Sequence, residues 1–376
     1  MLDGSSILLC RIQDSIQDLE LAKRAIESTS VEEELRKRVG VLFVDKIDEF
    51  QKALVELRGL KDNLPENEAW QSFESIQYDC NTLLEESLSF VQGALARSAG
   101  VDFGLCRIAD ALLAELSHSS DIPWQRFTML AVGEFFHDMA EIIRIRFPEG
   151  SIWNLPIACH EFGHFTEEKL TERYAGQSRN PITDVLAQEK YNDAKNVPLM
   201  RELYADLFAT YALGPAYACT CLLLRFNRAK PYEDTVDHPS GAKRAYFILS
   251  ALRQLNIQHI AQPYTSIIER LDNAWGFKVD EATAAQLDVW RASLYLPLSK
   301  KKSLRYDGWS QAVALVDPIS APDLSDEVIG DARKKKLSIA NVLNAAWIFR
   351  IRNFDDANRV YRVGENAKRL CKEIAI

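Results

Sequence analysis

The sequence predicts a mainly α-helical protein with a small β-sheet in its middle third. Three observations carry this. Apolar residues recur at spacings of three and four through most of residues 7–98 and again through much of the last third, the period of helices with one buried face. Near 127–132 the text turns strand-like, and over 143–147 it alternates apolar and polar, the period of a strand with one buried face. Between the strands and the second helical stretch stands His160-Glu161-Phe162-Gly163-His164, with two imidazoles four residues apart. A length of 376 residues with 47% apolar and 26% charged content suits two or three globular domains. We expect an N-terminal helical bundle over 1–122, a central region with the strands and the histidine motif over 123–256 and a C-terminal helical region over 257–376.

In chain order, Ile12, Ile16, Leu19, Ala22 and Ile26 mark a first helical stripe, and Val39, Phe43, Ile47, Phe50, Leu54 and Leu57 a second. A third runs through Phe73, Ile76, Cys80, Leu84, Leu88, Val91 and Leu95. Ser28-Thr29-Ser30 with Glu33 resembles a capping box between the first two, and Asn63-Leu64-Pro65 breaks the second from the third. Such helices pack antiparallel in a bundle and offer a face to a helical partner or to a second copy in a homodimer.

A shorter helix after Gly100 carries Leu105, Ile108, Leu112 and Leu116 and ends near Ser117-His118-Ser119-Ser120, where His118 reads as solvated. Phe127 to Val132 reads as a strand, and Ile143, Ile145 and Phe147 alternate with Arg144 and Arg146, a half-exposed strand with its arginines outward. His137 reads as structural.

The central motif has the spacing of a zinc site. On a helix, His160 and His164 share a face, so both rings can point at one ion with Glu161 beside it. Zinc takes imidazole nitrogens, and three protein ligands leave a position for water, whose proton a nearby carboxylate can accept. Glu161 suits that general base. Arg201-Glu202-Leu203-Tyr204-Ala205-Asp206 offers the rest: Glu202 as third ligand and Asp206, one turn on, to accept the outer N–H of a ligating histidine. Pro156 ahead of the first histidine, Pro198 ahead of Glu202 and Gly214-Pro215 behind it bracket both segments as helices. The polar stretch from Gly176 to Val197 reads as a mobile loop over or beside the cleft, suited to act as a lid or a substrate-selection element, and equally allowed as a disordered excursion.

HEFGH followed by ExxxD resembles the gluzincin class of zinc metallopeptidases. Asp237-His238-Pro239-Ser240-Gly241-Ala242-Lys243-Arg244 is similar to the HPxxxxR segment of the HtpX-like branch. The resemblance spans roughly residues 126–250. It implies a zincin-like catalytic core with Zn²⁺ on His160, His164 and Glu202, and with His238 and Arg244 at the site, donating to the oxyanion or steadying the carboxylates. It also implies that the strand upstream of the zinc helix is an edge strand that pairs with an extended substrate. HEFGH-type helices resemble, too, the regulatory peptidases of the ImmA/IrrE group, which cleave repressor proteins. Members of the HtpX-like branch are commonly membrane-embedded, whereas this sequence has no run of eighteen apolar residues.

The last third reads as helices over 264–275, 281–294, 339–352 and 356–374, with Trp275, Trp290, Trp309 and Trp347 as core or interface anchors. The net charge of −9 argues against non-specific binding to nucleic acid or an anionic membrane. Lys300-Lys301-Lys302 and Arg333-Lys334-Lys335-Lys336 read as solvated runs. Seven cysteines without a CxxC pair do not make a disulfide framework, and Cys159, Cys219 and Cys221 read as core. The N-terminus lacks a signal-peptide pattern, so a cytoplasmic location is expected. The whole predicts a zinc-dependent metallopeptidase acting on a protein or peptide, with no nucleic-acid or membrane partner. The alternative is a non-catalytic helical interaction protein that retains a zinc-binding site.

Overall fold

The computed structural model of the chain describes residues 4–28, 40–60, 63–124, 127–131, 135–137, 142–146, 151–175, 196–236, 238–258 and 261–375, with the isolated positions 33, 37, 182 and 185. The expected capping box near 28–33 and the polar loop over 176–197 fall almost wholly outside these. The protein is mainly helical and divides into two compact units, Met1–Phe103 with Arg126–Phe147, and Gly104–Gln125 with Pro148–Ile376. The units cut across the three sequence regions: the strands fall with the N-terminal bundle, and the C-terminal helices fall with the histidine motif.

In the first unit, α1 (Gly4–Ser28), α2 (Val41–Leu60) and α3 (Glu66–Ser98) each pack on the other two. Their core is the expected one for the first two helices, with Ile12, Leu19 and Ile26 against Phe43, Ile47 and Leu54. The third differs. Its buried residues run Phe73, Cys80, Leu83, Ser87, Phe90, Ala94 and Arg97, a heptad progression of about 3.5 residues per turn. Of the expected stripe, Phe73 and Cys80 lie in the core and Ile76, Leu84 and Val91 pack against it, while its advance of about 3.7 residues per turn carries Leu88 and Leu95 outward, 60% and 44% exposed.

The sheet of this unit has the order β1-β3-β2, with β1 Thr128–Ala131, β2 Phe135–His137 and β3 Ile142–Arg146. The strand expected at an edge is therefore the central one. It runs parallel to β1, with Thr128 opposite Ile143, and antiparallel to β2, with Phe135 opposite Arg144. Both of its edges are paired, so it offers no ladder to an added peptide strand. The sequence did not reveal β2 because three residues are too few to display a period of two. β1 lies on α3, where a Cβ at Gly93 would stand 2.5 Å from the Leu130 carbonyl oxygen. Close by, Arg97 donates to the Thr128 carbonyl oxygen at 2.6 Å.

The second unit begins with α4 (Leu105–Ser120) and continues with α5 (Ile157–Ala175), α6 (Asn196–Leu213) and α7 (Pro215–Thr220), which runs into a π-helical turn, Cys221–Arg225. Then come α8 (Gly241–Ile257), α9 (Thr265–Trp275), α10 (Glu281–Ser299), α11 (Trp309–Ser320), α12 (Asp326–Lys334), α13 (Ile339–Arg352) and α14 (Ala357–Ile374). Helix α6 is buried on every side from Glu202 to Leu213, the mark of a helix inside a larger core. It packs against α5, α7, α8 and α10. Of the four tryptophans expected as anchors, Trp275, Trp290 and Trp347 are buried. All seven cysteines are free, and only Cys10 is exposed. Among the described residues no helix is long and apolar enough to cross a membrane.

Candidate metal centre

The site lies where α5 crosses α6. Gly163, between the two histidines, is what lets the helices meet: a Cβ there would stand 2.9 Å from the Ala205 Cα and 3.2 Å from its Cβ. Real Cβ atoms do not approach so closely, so the glycine and the alanine set the spacing of the backbones. Phe162 and Phe165 fix the roll of α5, meeting Trp124 edge to face at 5.5 and 5.0 Å, while Phe162 also meets Phe208 of α6. With the helices so fixed, His160 and His164 face Glu202.

Three side chains converge. Nε2 of His160 lies 3.2 Å from Nε2 of His164 and 3.4 Å from Oε2 of Glu202, and Nε2 of His164 lies 3.2 Å from Oε1 of Glu202. Ligands at roughly 2.0–2.1 Å from a tetrahedral ion are separated by about 3.3–3.4 Å, so the observed triangle has the size of one face of such a shell. Glu202 is buried, and its Oε2 has no well-formed hydrogen bond; its nearest cationic neighbour is the Arg244 guanidinium, whose Nη1 lies 3.3 Å away. Among the described residues His160, His164 and Glu202 form the one group of this kind able to hold a metal ion.

A second layer surrounds His160. Asp206, fully buried, has Oδ1 3.2 Å from Nδ1 of His160. Arg244, at the start of α8, donates from Nε to Asp206 Oδ2 at 2.8 Å and from Nη2 to Oδ1 at 2.7 Å, while its Nη1 lies 3.3 Å from Glu202 Oε2. Its fork is thus directed at the two carboxylates. Tyr217 of α7 completes the layer, with its hydroxyl 2.9 Å from His160 Nδ1 and donating to Asp206 Oδ1. Sequence reading did not single it out. The available signal was a lone phenol in the otherwise apolar stretch just after the Gly214-Pro215 break.

These contacts set the charges. Burial disfavours the cationic form of His160, but its hydrogen bonds with Asp206 and Glu202 outweigh that and raise its pKa to about 10. Burial likewise opposes ionisation of Glu202, yet the hydrogen bonds from His160 and His164, with the charge of Arg244, hold it well below the usual carboxylate range. Asp206 is held down in the same way, chiefly by Arg244.

His238 stands at the rim. Its Nε2 is 3.5 Å from Glu202 Oε1, its side chain is 53% exposed, and it lies outside the convergent group of three. A tight turn holds it: the His238 N–H donates to Thr235 Oγ1 at 3.0 Å, and the Thr235 N–H donates back to the His238 carbonyl at 2.9 Å. Glu161 is buried on α5, and its carboxylate makes no hydrogen bond or ion pair among the described residues.

Fold and site together define a mainly helical protein with a largely buried His-His-Glu group that could hold a metal ion. Compared with known proteins, the chain matches no family model, no curated protein and no solved structure.

Proposed function

We propose that this protein is a zinc-dependent metallopeptidase with a zincin-like site, acting on a protein or peptide. The observation that carries the reading is the convergence of two imidazoles from α5 and one carboxylate from α6 at the spacing of a metal shell. A set of two nitrogens and one carboxylate oxygen suits zinc, and closed structural zinc sites are usually built instead from four ligands, often cysteines. When bound, zinc would supply Lewis acidity to polarise the scissile carbonyl and acidify a nearby water.

The remaining chemistry belongs to the chain. Glu161 takes a proton from water at its carboxylate and hands it to the leaving amine. His238, half exposed at the rim, donates from Nε2 towards the oxyanion. Arg244 offsets part of the charge of Glu202 and Asp206 and keeps both aimed at the site. The test is Glu161→Gln, for which metal content should equal that of wild type while turnover of a peptide library falls by about 10²–10⁴-fold. A variant that cleaves like wild type would sink the mechanism.

A second reading, a non-catalytic interaction protein that retains the metal site, draws on the bundle, where Leu21, Tyr78 and Leu88 are 62%, 75% and 60% exposed. Under that reading a wild type that binds zinc stoichiometrically cleaves nothing in the library, with or without chelator.

A further inference from the structure

We infer that Tyr217 is a positioning residue of the metal centre: it makes Nδ1 of His160 the protonated nitrogen and so reserves Nε2, the atom facing His164 and Glu202, for the metal. This rests on the metal-binding reading above.

The argument is one of proton bookkeeping. A phenol has a single proton to donate, and Tyr217 directs it at Asp206 Oδ1. Towards His160 Nδ1, 2.9 Å away, its oxygen can only accept. The other neighbour of that nitrogen, Asp206 Oδ1 at 3.2 Å, is also an acceptor. Arg244 donates to both oxygens of Asp206, at 2.8 and 2.7 Å, so the carboxylate stands among donors and meets His160 as an acceptor. Every contact then runs one way: His160 donates to Tyr217, Tyr217 to Asp206, and Arg244 to Asp206 from its far side.

Burial makes the device hard to replace, since Tyr217 and Asp206 are both 0% exposed and bulk water cannot stand in for the hydroxyl. The tyrosine ring lies nearly parallel to the imidazole, at 11° with centroids 6.0 Å apart, so the contact also fixes the plane of His160. Local backbone explains how the phenol arrives there. Gly214, with φ +59°, turns the chain out of α6, and Pro215 opens α7. Asn344 of α13 ties the break, accepting from the Ala216 N–H at 3.0 Å and donating to the Leu213 carbonyl at 2.8 Å.

Tyr217→Phe keeps the ring and removes the relay. Zinc affinity is measured by competition with a chromogenic chelator, alongside thermal unfolding of the metal-free protein. The expected result is affinity about 10–100-fold weaker than wild type, well beyond what altered melting explains, because a residue that only packs would move melting and leave affinity unchanged. Affinity within twofold of wild type overturns the inference. A second measurement needs no variant: in zinc-loaded wild type, long-range ¹⁵N–¹H correlation should show His160 protonated at Nδ1 and ligating through Nε2, and the opposite assignment overturns it. Wild type that fails to bind zinc removes the metal-centre reading itself, whereas tight wild-type binding with an unaffected phenylalanine variant removes Tyr217 alone.

Discussion

Single residues away from the His-His-Glu group also carry measurable consequences, and Glu115 is the clearest. It lies on α4 and receives the Ile339 N–H, at the start of α13, on both carboxylate oxygens at 3.2 Å. Burial raises its pKa from 4.5 to about 7, against the pull of that hydrogen bond. Because the folded state holds this proton more tightly than the unfolded chain, its stabilising contribution is complete below pH 4.5 and is lost as pH rises through 7. The loss amounts to something on the order of 2 kcal/mol. Urea unfolding at pH 5 and pH 8 should show wild type weaker at the higher pH, with Glu115→Gln losing much of that difference; equal slopes for both proteins would refute the assignment. At this scale the sequence was most legible for residues in one motif. The His160-His164 pair and the Glu202-Asp206 pair each lie four residues apart on one helix, so helical spacing alone predicted their shared faces. Tyr217 was not legible, because its contact with His160 joins residues 57 apart through an apolar segment whose course depends on the turn at Gly214.

At the scale of elements, the His-His-Glu group depends on how closely α5 and α6 cross. A methyl at position 163 must push against the Ala205 backbone, which has nowhere to yield. Gly163→Ala should therefore cost about 1–3 kcal/mol through overpacking. It should also spread the histidines from Glu202 and weaken zinc binding more than Gly59→Ala, an addition that meets nothing within 4 Å. Chelator competition on the two variants decides it, and equal affinities would show that the crossing distance is not limiting. The helices themselves were legible in the sequence wherever their periodicity was sustained. What failed was phase and pairing: α3 follows a heptad seam that a helical stripe with a slightly longer repeat drifts away from, and β3 acquired a partner on its second edge from a strand too short to see.

For the whole molecule, the C-terminal helices belong to the architecture of the His-His-Glu group. Asn344, 1% exposed on α13, satisfies the Ala216 N–H and the Leu213 carbonyl at the junction of α6 and α7. Asn344→Ala leaves both backbone groups buried without that partner, which should cost roughly 1–3 kcal/mol. Calorimetry of the intact chain measures it, and a change under a few tenths of a kcal/mol would mean that the junction is held by other contacts. Composition and helical period predicted a mainly helical chain, but they could not join positions 128 residues apart, so the last third read as a separate region. The path of the chain has a further consequence. It leaves the first unit after Phe103, enters the second as far as Gln125, and returns for Arg126–Phe147. A ribosome that has released only the three N-terminal helices has therefore not yet delivered the strand that lies over Gly93. That strand spans Thr128–Ala131, so a frameshift between 104 and 125 would leave the three helices without the cover that β1 gives α3 at Gly93.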